Sequence, residues 1–289
     1  MRYRFLAAMA AVGCAIVLTG CNDKSNTSPT SPSPQPDTVS YTAVGASDAI
    51  AIGASHECFP FAACPDGTGY VQLTQRRLQA AGKTVSLLNL GIPGAVLGPD
   101  IEAIGNGLGR GIPGNFLERE LPFVSRDSTL VTIFAGGNDV NTVADAINAG
   151  LGGPDPVTYA NTLTNGFGRD LNSLVSGIKG RAPNARIIVL NLPNLAALPY
   201  MAGRTLTQRQ GVQALAVAFS AKANALSSQG AVVIDLMCDP RSYIAGNYSS
   251  DGFHPNDSGY AFIADLVYAA ASTGSAAAPR ASCSQMAQF

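Results

Sequence analysis

Short apolar segments alternate with longer helical segments along most of this chain. Five apolar segments have the length of strands, at 41–45, 85–90, 129–135, 185–191 and 231–236. Helical segments lie between or after them, near 70–82, 157–180, 206–229 and 256–272. Such alternation is typical of a parallel sheet with helices on both faces. The stretch past residue 40, about 250 residues, suits a single α/β domain.

Distinctive turns follow three of the predicted strands. The first strand leads into Gly45-Ala46-Ser47-Asp48, the second into Asn89 to Gly94, and the third into Gly136-Gly137-Asn138-Asp139. In open α/β sheets, ligands bind at the carboxyl ends of the strands. Taken singly, each turn has a plainer interpretation: a serine N-cap, a glycine turn and an asparagine in a left-handed turn. Together, they predict a functional site at this edge of the sheet.

Asp251 precedes His254 by three residues, just before the last helical segment. The chain has only two histidines, so any imidazole base is either His254 or His56. A carboxylate at this spacing can reach the imidazole, fix its tautomer and stabilise its protonated form. The plainer alternative is a loop aspartate that caps the helix beginning near Asn256, beside a surface histidine.

These four motifs, in this order, resemble those of the SGNH hydrolases, also called the GDSL esterase/lipase family. The matching blocks are Gly45 to Ser47, Asn89 to Gly94, Gly136 to Asp139, and Asp251 to His254. The first block departs from the family pattern because Ala46 stands where the family has aspartate. The resemblance implies a three-layer α/β/α sandwich around a five-stranded, parallel, flavodoxin-like sheet.

The resemblance also assigns a role to each matched residue. Ser47 is the expected nucleophile, His254 its base, and Asp251 the carboxylate that orients His254. The Ser47 N–H, the Gly94 N–H and the Asn138 side chain are the expected oxyanion hole. These roles agree with the residue chemistry, because a serine hydroxyl needs a base within hydrogen-bond reach and a developing oxyanion needs preorganised donors.

The expected activity is hydrolysis of acyl or aryl esters, without a cofactor. The G-x-S-x-G nucleophile elbow is absent at Ser47, which disfavours the α/β-hydrolase fold. A carbohydrate O-deacetylase, an acyltransferase on the same triad and a non-catalytic surface lipoprotein remain alternatives. Apolar residues near the four motifs are candidates for a substrate lining, although burial in the core is the commoner fate of such residues. They are Ile50, Ile52, Ile92, Val96, Leu97, Leu195, Leu198, Tyr200 and Phe253.

The amino-terminal segment predicts export. A short basic start is followed by an apolar stretch at 5–18, which is too short for a membrane span and typical of a signal peptide. Leu18-Thr19-Gly20-Cys21 resembles a bacterial lipobox, which implies a signal peptide at 1–20 and lipid on Cys21. Asn22 after the cysteine favours the outer membrane if the host is Gram-negative. The Ser/Thr/Pro-rich residues 21–40 are predicted to form a tether before a hydrolase domain at 41–289.

Four cysteines remain after Cys14 of the signal segment and Cys21 are set aside. An even number of cysteines in an exported protein predicts two disulfides, for which three pairings are possible. We predict the pairs Cys58–Cys64 and Cys238–Cys283. A metal site is disfavoured, because there is no C-x-x-C motif and His56 is the only spare histidine.

Charge limits the possible partners. Without Arg2 and Arg4 of the signal segment, acidic residues outnumber basic ones by about three. The chain therefore has no basic footprint for nucleic acid. The expected partners are a small-molecule or lipid ester and, through the lipid anchor, a membrane.

Overall fold

The computed structural model describes residues 37–289, which form a five-stranded sheet flanked by helices. The predicted signal peptide, the Cys21 lipidation site and the tether up to residue 36 lie outside the described residues. The strands are β1 (Thr38–Gly45), β2 (Thr84–Asn89), β3 (Leu130–Phe134), β4 (Arg186–Leu190) and β5 (Val232–Ile234). Thus β1 includes residues 38–40, which the sequence assigned to the tether.

All four strand pairings are parallel, in the order β2-β1-β3-β4-β5. This order confirms the predicted flavodoxin-like sheet. Gly45 lies beside Phe134, which lies beside Leu190, which in turn lies beside Ile234, so four strands end at the same level. The chain reverses its direction of winding at β1, between β2 and β3, where the strand ends open a crevice for ligands.

Helices cover the sheet in two layers. The helices are α1 (Tyr70–Ala80), α2 (Pro99–Gly107), α3 (Phe116–Arg119), α4 (Gly137–Asn148), α5 (Pro156–Arg181), α6 (Leu206–Asn224) and α7 (Asp257–Thr273). α1 packs against α7, whereas α6 packs against both α4 and α5. Short 3₁₀ turns lie at Leu121–Phe123, Leu195–Ala197, Pro199–Met201, Ala225–Gln229, Pro240–Tyr243, Ala245–Asn247 and Ser284–Ala287. The four predicted helices are all present.

Three helices, α2, α3 and α4, lie outside the predicted helical segments. Two of them, α2 and α3, lie in the region 91–122, whose many glycines and prolines favour irregular structure. Pro99 occupies the first turn of α2, where a missing N–H costs nothing, and Asp100 and Glu102 favour its positive amino end. Gly105 in this helix packs so closely on Ile112 that an added Cβ would lie 2.1 Å from the Ile112 Cδ1. Close packing against Ile112 therefore explains why a glycine, which disfavours helix, occupies position 105.

Candidate active site

Ser47 lies in the turn that follows β1, at the crevice between β1 and β3. Its carbonyl accepts a hydrogen bond from Ile52 N–H at 3.1 Å, which closes the turn. The residue is only 5% exposed. Within residues 37–289, the Ser47 N–H has no protein acceptor, so it remains available to a bound group.

His254 joins Ser47 to Asp251 across the site. Its Nε2 lies 2.8 Å from Ser47 Oγ, and its Nδ1 lies 2.6 Å from Asp251 Oδ2. An ionised carboxylate can only accept, so Nδ1 carries the proton and Nε2 is free to accept from the serine hydroxyl. The alternative that Asp251 only caps a helix is wrong, because Asn256 caps α7 instead and accepts from Ser258 N–H and Gly259 N–H.

Hydrogen bonds keep the Asp251 carboxyl ionised. Burial acts to raise its pKa, but donation by His254, by the N–H groups of Phe253 and His254, and by the Ser249 hydroxyl lowers the pKa to about 2. Asp251 therefore carries its charge throughout the neutral range. That charge stabilises a protonated His254 during a proton transfer.

Backbone turns around His254 fix its position. Gly252 has φ of +70°, and its carbonyl accepts a hydrogen bond from Tyr200 N–H at 3.1 Å. The His254 carbonyl accepts from Ser249 N–H at 2.8 Å. Phe253 packs edge-to-face against both His254 and Tyr200. The imidazole is held on several sides, and its side chain is 17% exposed.

The Asn89-to-Gly94 segment is held against the Ser47 turn. The Asn89 side chain donates to the Ala49 carbonyl at 2.6 Å and accepts from Gly91 N–H at 3.1 Å. Gly94 has φ of +81°, a backbone conformation that glycine adopts most readily. Within the described part of the chain, its N–H has no protein acceptor. The Gly94 N–H is therefore a free backbone donor on a segment bonded to the Ser47 turn, although Gly94 is not among the residues that line the cavity beside Ser47.

Asn138 lies in the first turn of α4 and lines the same cavity as Ser47. Its side-chain amide donates one N–H to the Ala95 carbonyl at 2.9 Å, which leaves the second N–H for a ligand. The next residue, Asp139, accepts from Leu97 N–H at 2.9 Å. Burial raises the pKa of Asp139 to about 7, opposed by that hydrogen bond. Both side chains anchor the 95–97 segment that follows Gly94.

Glu120 is a buried carboxyl beneath the nucleophile turn that sequence reasoning did not identify. It accepts from Gly45 N–H at 2.8 Å, two residues before Ser47. Burial raises its pKa well above the usual range for glutamate. Glu120 directly follows the short helix α3, which Asn115 caps, and no sequence motif marks this position. Its role in fixing the end of β1 is visible only from its hydrogen bond with Gly45.

The cavity beside Ser47 has a mainly apolar lining. Leu195, Leu198 and Phe253, three of the predicted lining residues, contribute to it. Val96 and Leu97 are instead fully buried core residues, and Ile50, Ile52 and Ile92 are not among the cavity residues. Tyr200 contacts the site through Phe253, and its hydroxyl donates to Asn141. Asp48 also lines the cavity, and burial raises its pKa.

The remaining sequence predictions concern cysteines, His56 and metals. Disulfides join Cys58 to Cys64 and Cys238 to Cys283, as predicted. His56 is exposed, and its Nδ1 contacts the Ser55 hydroxyl at 3.3 Å. Between residues 37 and 289, no group of three or more histidine, cysteine or acidic side chains could hold a metal ion. In the same region, no helix has the length and apolar character needed to cross a membrane.

The fold and the arrangement of these side chains define an α/β enzyme that hydrolyses esters. A model of the GDSL-like lipase/acylhydrolase family matches residues 40–262, and the chain belongs to this family.

Solved structures with the same fold include two lipases. The extracellular lipase from Streptomyces rimosus is 19% identical, with a TM-score of 0.51, and the match covers 77% of this chain and 94% of that one. The lipase Lip_vut3 from a goat rumen metagenome is 18% identical, with a TM-score of 0.54, covering 81% and 98% of the two chains. No match was found among curated protein sequences.

Proposed function

We propose that the protein is a serine esterase of the carboxylesterase/lipase type, with Ser47, His254 and Asp251 as its catalytic triad. The observation that supports this most directly is the continuous chain of hydrogen bonds from Ser47 Oγ through His254 to Asp251. Ser47 and His254 are 207 residues apart in the sequence, so their contact is a product of the whole fold. Membership of an ester-hydrolysing family agrees with this role.

In the first half of the proposed reaction, Ser47 Oγ attacks the ester carbonyl while His254 Nε2 takes the hydroxyl proton. The carbonyl π bond becomes an oxyanion on the tetrahedral intermediate. When this intermediate collapses, the bond to the alcohol oxygen breaks and His254 returns its proton to the departing alcohol. The product is an acyl ester on Ser47, and Asp251 stabilises the imidazolium formed on the way.

The proposed oxyanion hole combines the Ser47 N–H, the Gly94 N–H and the second N–H of Asn138. Backbone donors at the first two positions have no protein acceptor within residues 37–289. Each donor of this kind lowers the barrier by about 3 kcal/mol when it points at the developing charge. The hydrogen bond from Asn138 to the Ala95 carbonyl fixes the amide before substrate arrives, so little reorganisation is required.

In the second half, a water molecule attacks the acyl carbonyl and gives a proton to His254. The bond from the acyl carbon to Ser47 Oγ then breaks, the proton passes to Ser47, and a carboxylic acid leaves. An alcohol in place of water would give transfer instead of hydrolysis. Measuring the ratio of acid to new ester with an added acceptor alcohol distinguishes the two activities.

The test of the proposed nucleophile is a pair of serine variants. Ser47→Ala is expected to lose p-nitrophenyl acetate hydrolysis by at least about 10⁴-fold while keeping its circular dichroism spectrum. Ser228→Ala is the control, because this exposed hydroxyl only donates to the Ala225 carbonyl. A fluorophosphonate probe should label Ser47 alone in the wild-type protein. Labelling of another serine, or near-normal turnover in Ser47→Ala, would contradict the mechanism.

We propose further that Cys21 carries a lipid that anchors the protein to a membrane after export. The lipobox-like residues 18–21 and the preceding apolar stretch support this proposal. In a bacterial host, Cys21→Ser is expected to block processing or to release the protein from the membrane fraction. The proposal is wrong if radiolabelled fatty acid fails to enter the wild-type protein.

A further inference from the structure

A small, partly enclosed cavity lies beside Ser47. Its volume is about 50 Å³, and Ser47, Ala95 and Asn138 line it together with large apolar side chains. The apolar lining includes Phe134, Leu192, Leu195, Leu236 and Phe262. A single water molecule needs roughly 10–15 Å³ of such space, so the cavity has room for only about three to five non-hydrogen atoms.

The walls of this cavity are fixed from behind. Leu192 N–H donates to Ser220 Oγ at 3.2 Å, and the same hydroxyl donates back to the Leu192 carbonyl at 3.0 Å. Leu195 follows Asn194, and both residues are buried. These contacts join the wall to α6, so it cannot move outward without breaking buried hydrogen bonds.

Asn194 secures this wall from three directions. Its side-chain amide donates to Gln213 Oε1 at 2.9 Å and to the Gln285 carbonyl at 2.7 Å. Its side-chain oxygen accepts from Ala196 N–H at 3.1 Å, and its own N–H donates to the Tyr243 hydroxyl at 2.9 Å. The volume beside Ser47 is therefore a property of the folded chain rather than of one side-chain rotamer.

Ser242 is one of the polar residues in the mainly apolar lining, together with Ser47, Asp48 and Asn138. The residue is 2% exposed, and its hydroxyl has no hydrogen-bond partner within residues 37–289. A methylene group against this hydroxyl would offer it no hydrogen bond and would leave it buried and unsatisfied. An apolar side chain at position 242 would therefore accommodate an alkyl chain better than serine does.

We propose that this cavity holds the acyl group of the substrate and restricts the enzyme to esters of short acids, of about two to four carbons. The inference rests on the proposed esterase function. The acyl group remains on Ser47 after the alcohol has left, so it suits an enclosed space, whereas the alcohol must diffuse away and requires an open path. Ser242 is the polar lining residue that we assign to chain-length selection.

The test is a series of p-nitrophenyl esters from acetate through butyrate, hexanoate and octanoate to dodecanoate. The value of kcat/KM is expected to be highest for acetate or butyrate and to fall at least about tenfold by octanoate, since the cavity has no room for further atoms. A second series of acetate esters with alcohols of increasing size should vary much less. A maximum at octanoate or dodecanoate would overturn the proposal, as would strong dependence on the alcohol with none on the acid.

Ser242→Ala tests the role of this hydroxyl in the cavity lining and removes only one oxygen atom, so the fold should survive. Its kcat/KM for hexanoate relative to acetate is expected to rise several-fold. Leu195→Ala should shift the preferred chain length further, and Ser228→Ala should reproduce the wild-type series. An unchanged series in both Ser242→Ala and Leu195→Ala would place the acyl group elsewhere.

The two proposals fail in different ways. If the protein hydrolyses long-chain esters and Ser47→Ala abolishes that activity, the cavity assignment is wrong and the esterase function stands. If no ester of any length is hydrolysed and Ser47 resists the fluorophosphonate probe, the esterase function is wrong and the cavity assignment falls with it.

Discussion

Gly53 lies directly against His254. A Cβ on Gly53 would lie 2.9 Å from the His254 Cβ and 2.9 Å from the Pro255 carbonyl oxygen, closer than real Cβ atoms approach. Gly53 also has φ of +92°, which disfavours any other residue. The Ser47 loop and the His254 loop therefore meet at a position where only glycine fits.

Gly53→Ala is expected to reduce kcat at least about tenfold, because the added methyl group displaces His254 and small displacements of a catalytic group are costly. Gly82→Ala is the matched control: its φ is +85°, but no atom lies within 4 Å of the added Cβ. Gly82→Ala should lose about 1 kcal/mol of stability from backbone strain, and Gly53→Ala should lose more because its Cβ also overlaps the Pro255 carbonyl oxygen. Urea unfolding and steady-state kinetics check the two effects separately, and equal kcat values in both variants would contradict this account.

The two histidines should differ sharply in their importance. His254→Ala is expected to be as inactive as Ser47→Ala, whereas His56→Ala should keep most of its turnover because His56 is exposed and bonded only within its own loop. Asp251→Asn should lie between them, since it spoils the tautomer but leaves the base in place. Steady-state kinetics on p-nitrophenyl acetate decide the order. If His56→Ala were inactive and His254→Ala active, the assignment of His254 as the base would be wrong.

Asn138→Ala is expected to lower kcat by about 10² to 10³-fold, because one oxyanion donor is lost. The effect on KM should be small if the amide acts mainly on the transition state. Asn148→Ala is the control, since Asn148 is an exposed residue at the end of the same helix. A change in KM alone would mean that Asn138 binds ground-state substrate instead.

Asp139 should make stability depend on pH. Its pKa is raised from 3.8 to about 7 by burial, so the folded state favours the protonated form. This contribution is fully present below the unfolded pKa and is lost as pH rises through about 7. Asp139→Asn should therefore flatten the decline in the free energy of unfolding over that range, measured by urea titration at several pH values. Asp127→Asn, at an exposed site, should leave the slope unchanged.

Local signals explain why the strands, and the motifs proposed to form the site, could be recognised in the sequence. Each strand has a compact apolar pattern, and Ser47, Gly94, Asn138 and His254 each lie in a short motif that can be recognised without the fold. Parallel strands bring such motifs to one edge, so their meeting could be expected from the strand pattern alone. The pairing of nearby Cys58 and Cys64 likewise required only a short loop.

The residues that were missed depend on long-range contacts. Glu120 accepts a hydrogen bond from Gly45, 75 residues earlier in the chain. Gly53 packs against His254, which lies near the other end of the domain sequence. Neither contact leaves a periodic or spacing signal. α4 was not predicted for a related reason. It begins directly after Gly136, and two consecutive glycines are typical of a loop. The close packing of Gly136 against Leu192, which explains this glycine, is a long-range contact.

The Cys238–Cys283 disulfide is a second covalent link between the carboxyl-terminal segment and the rest of the domain. Residues 275–282 are mostly exposed and have little regular structure, and Arg280 lies among them, so trypsin has a target there. A cut after Arg280 would sever the backbone, yet Cys283 would keep the released peptide joined to Cys238. The nicked protein should migrate as one band until a reducing agent is added. Asp251 and His254 lie inside the same ring, and a cut of this kind would leave the site assembled.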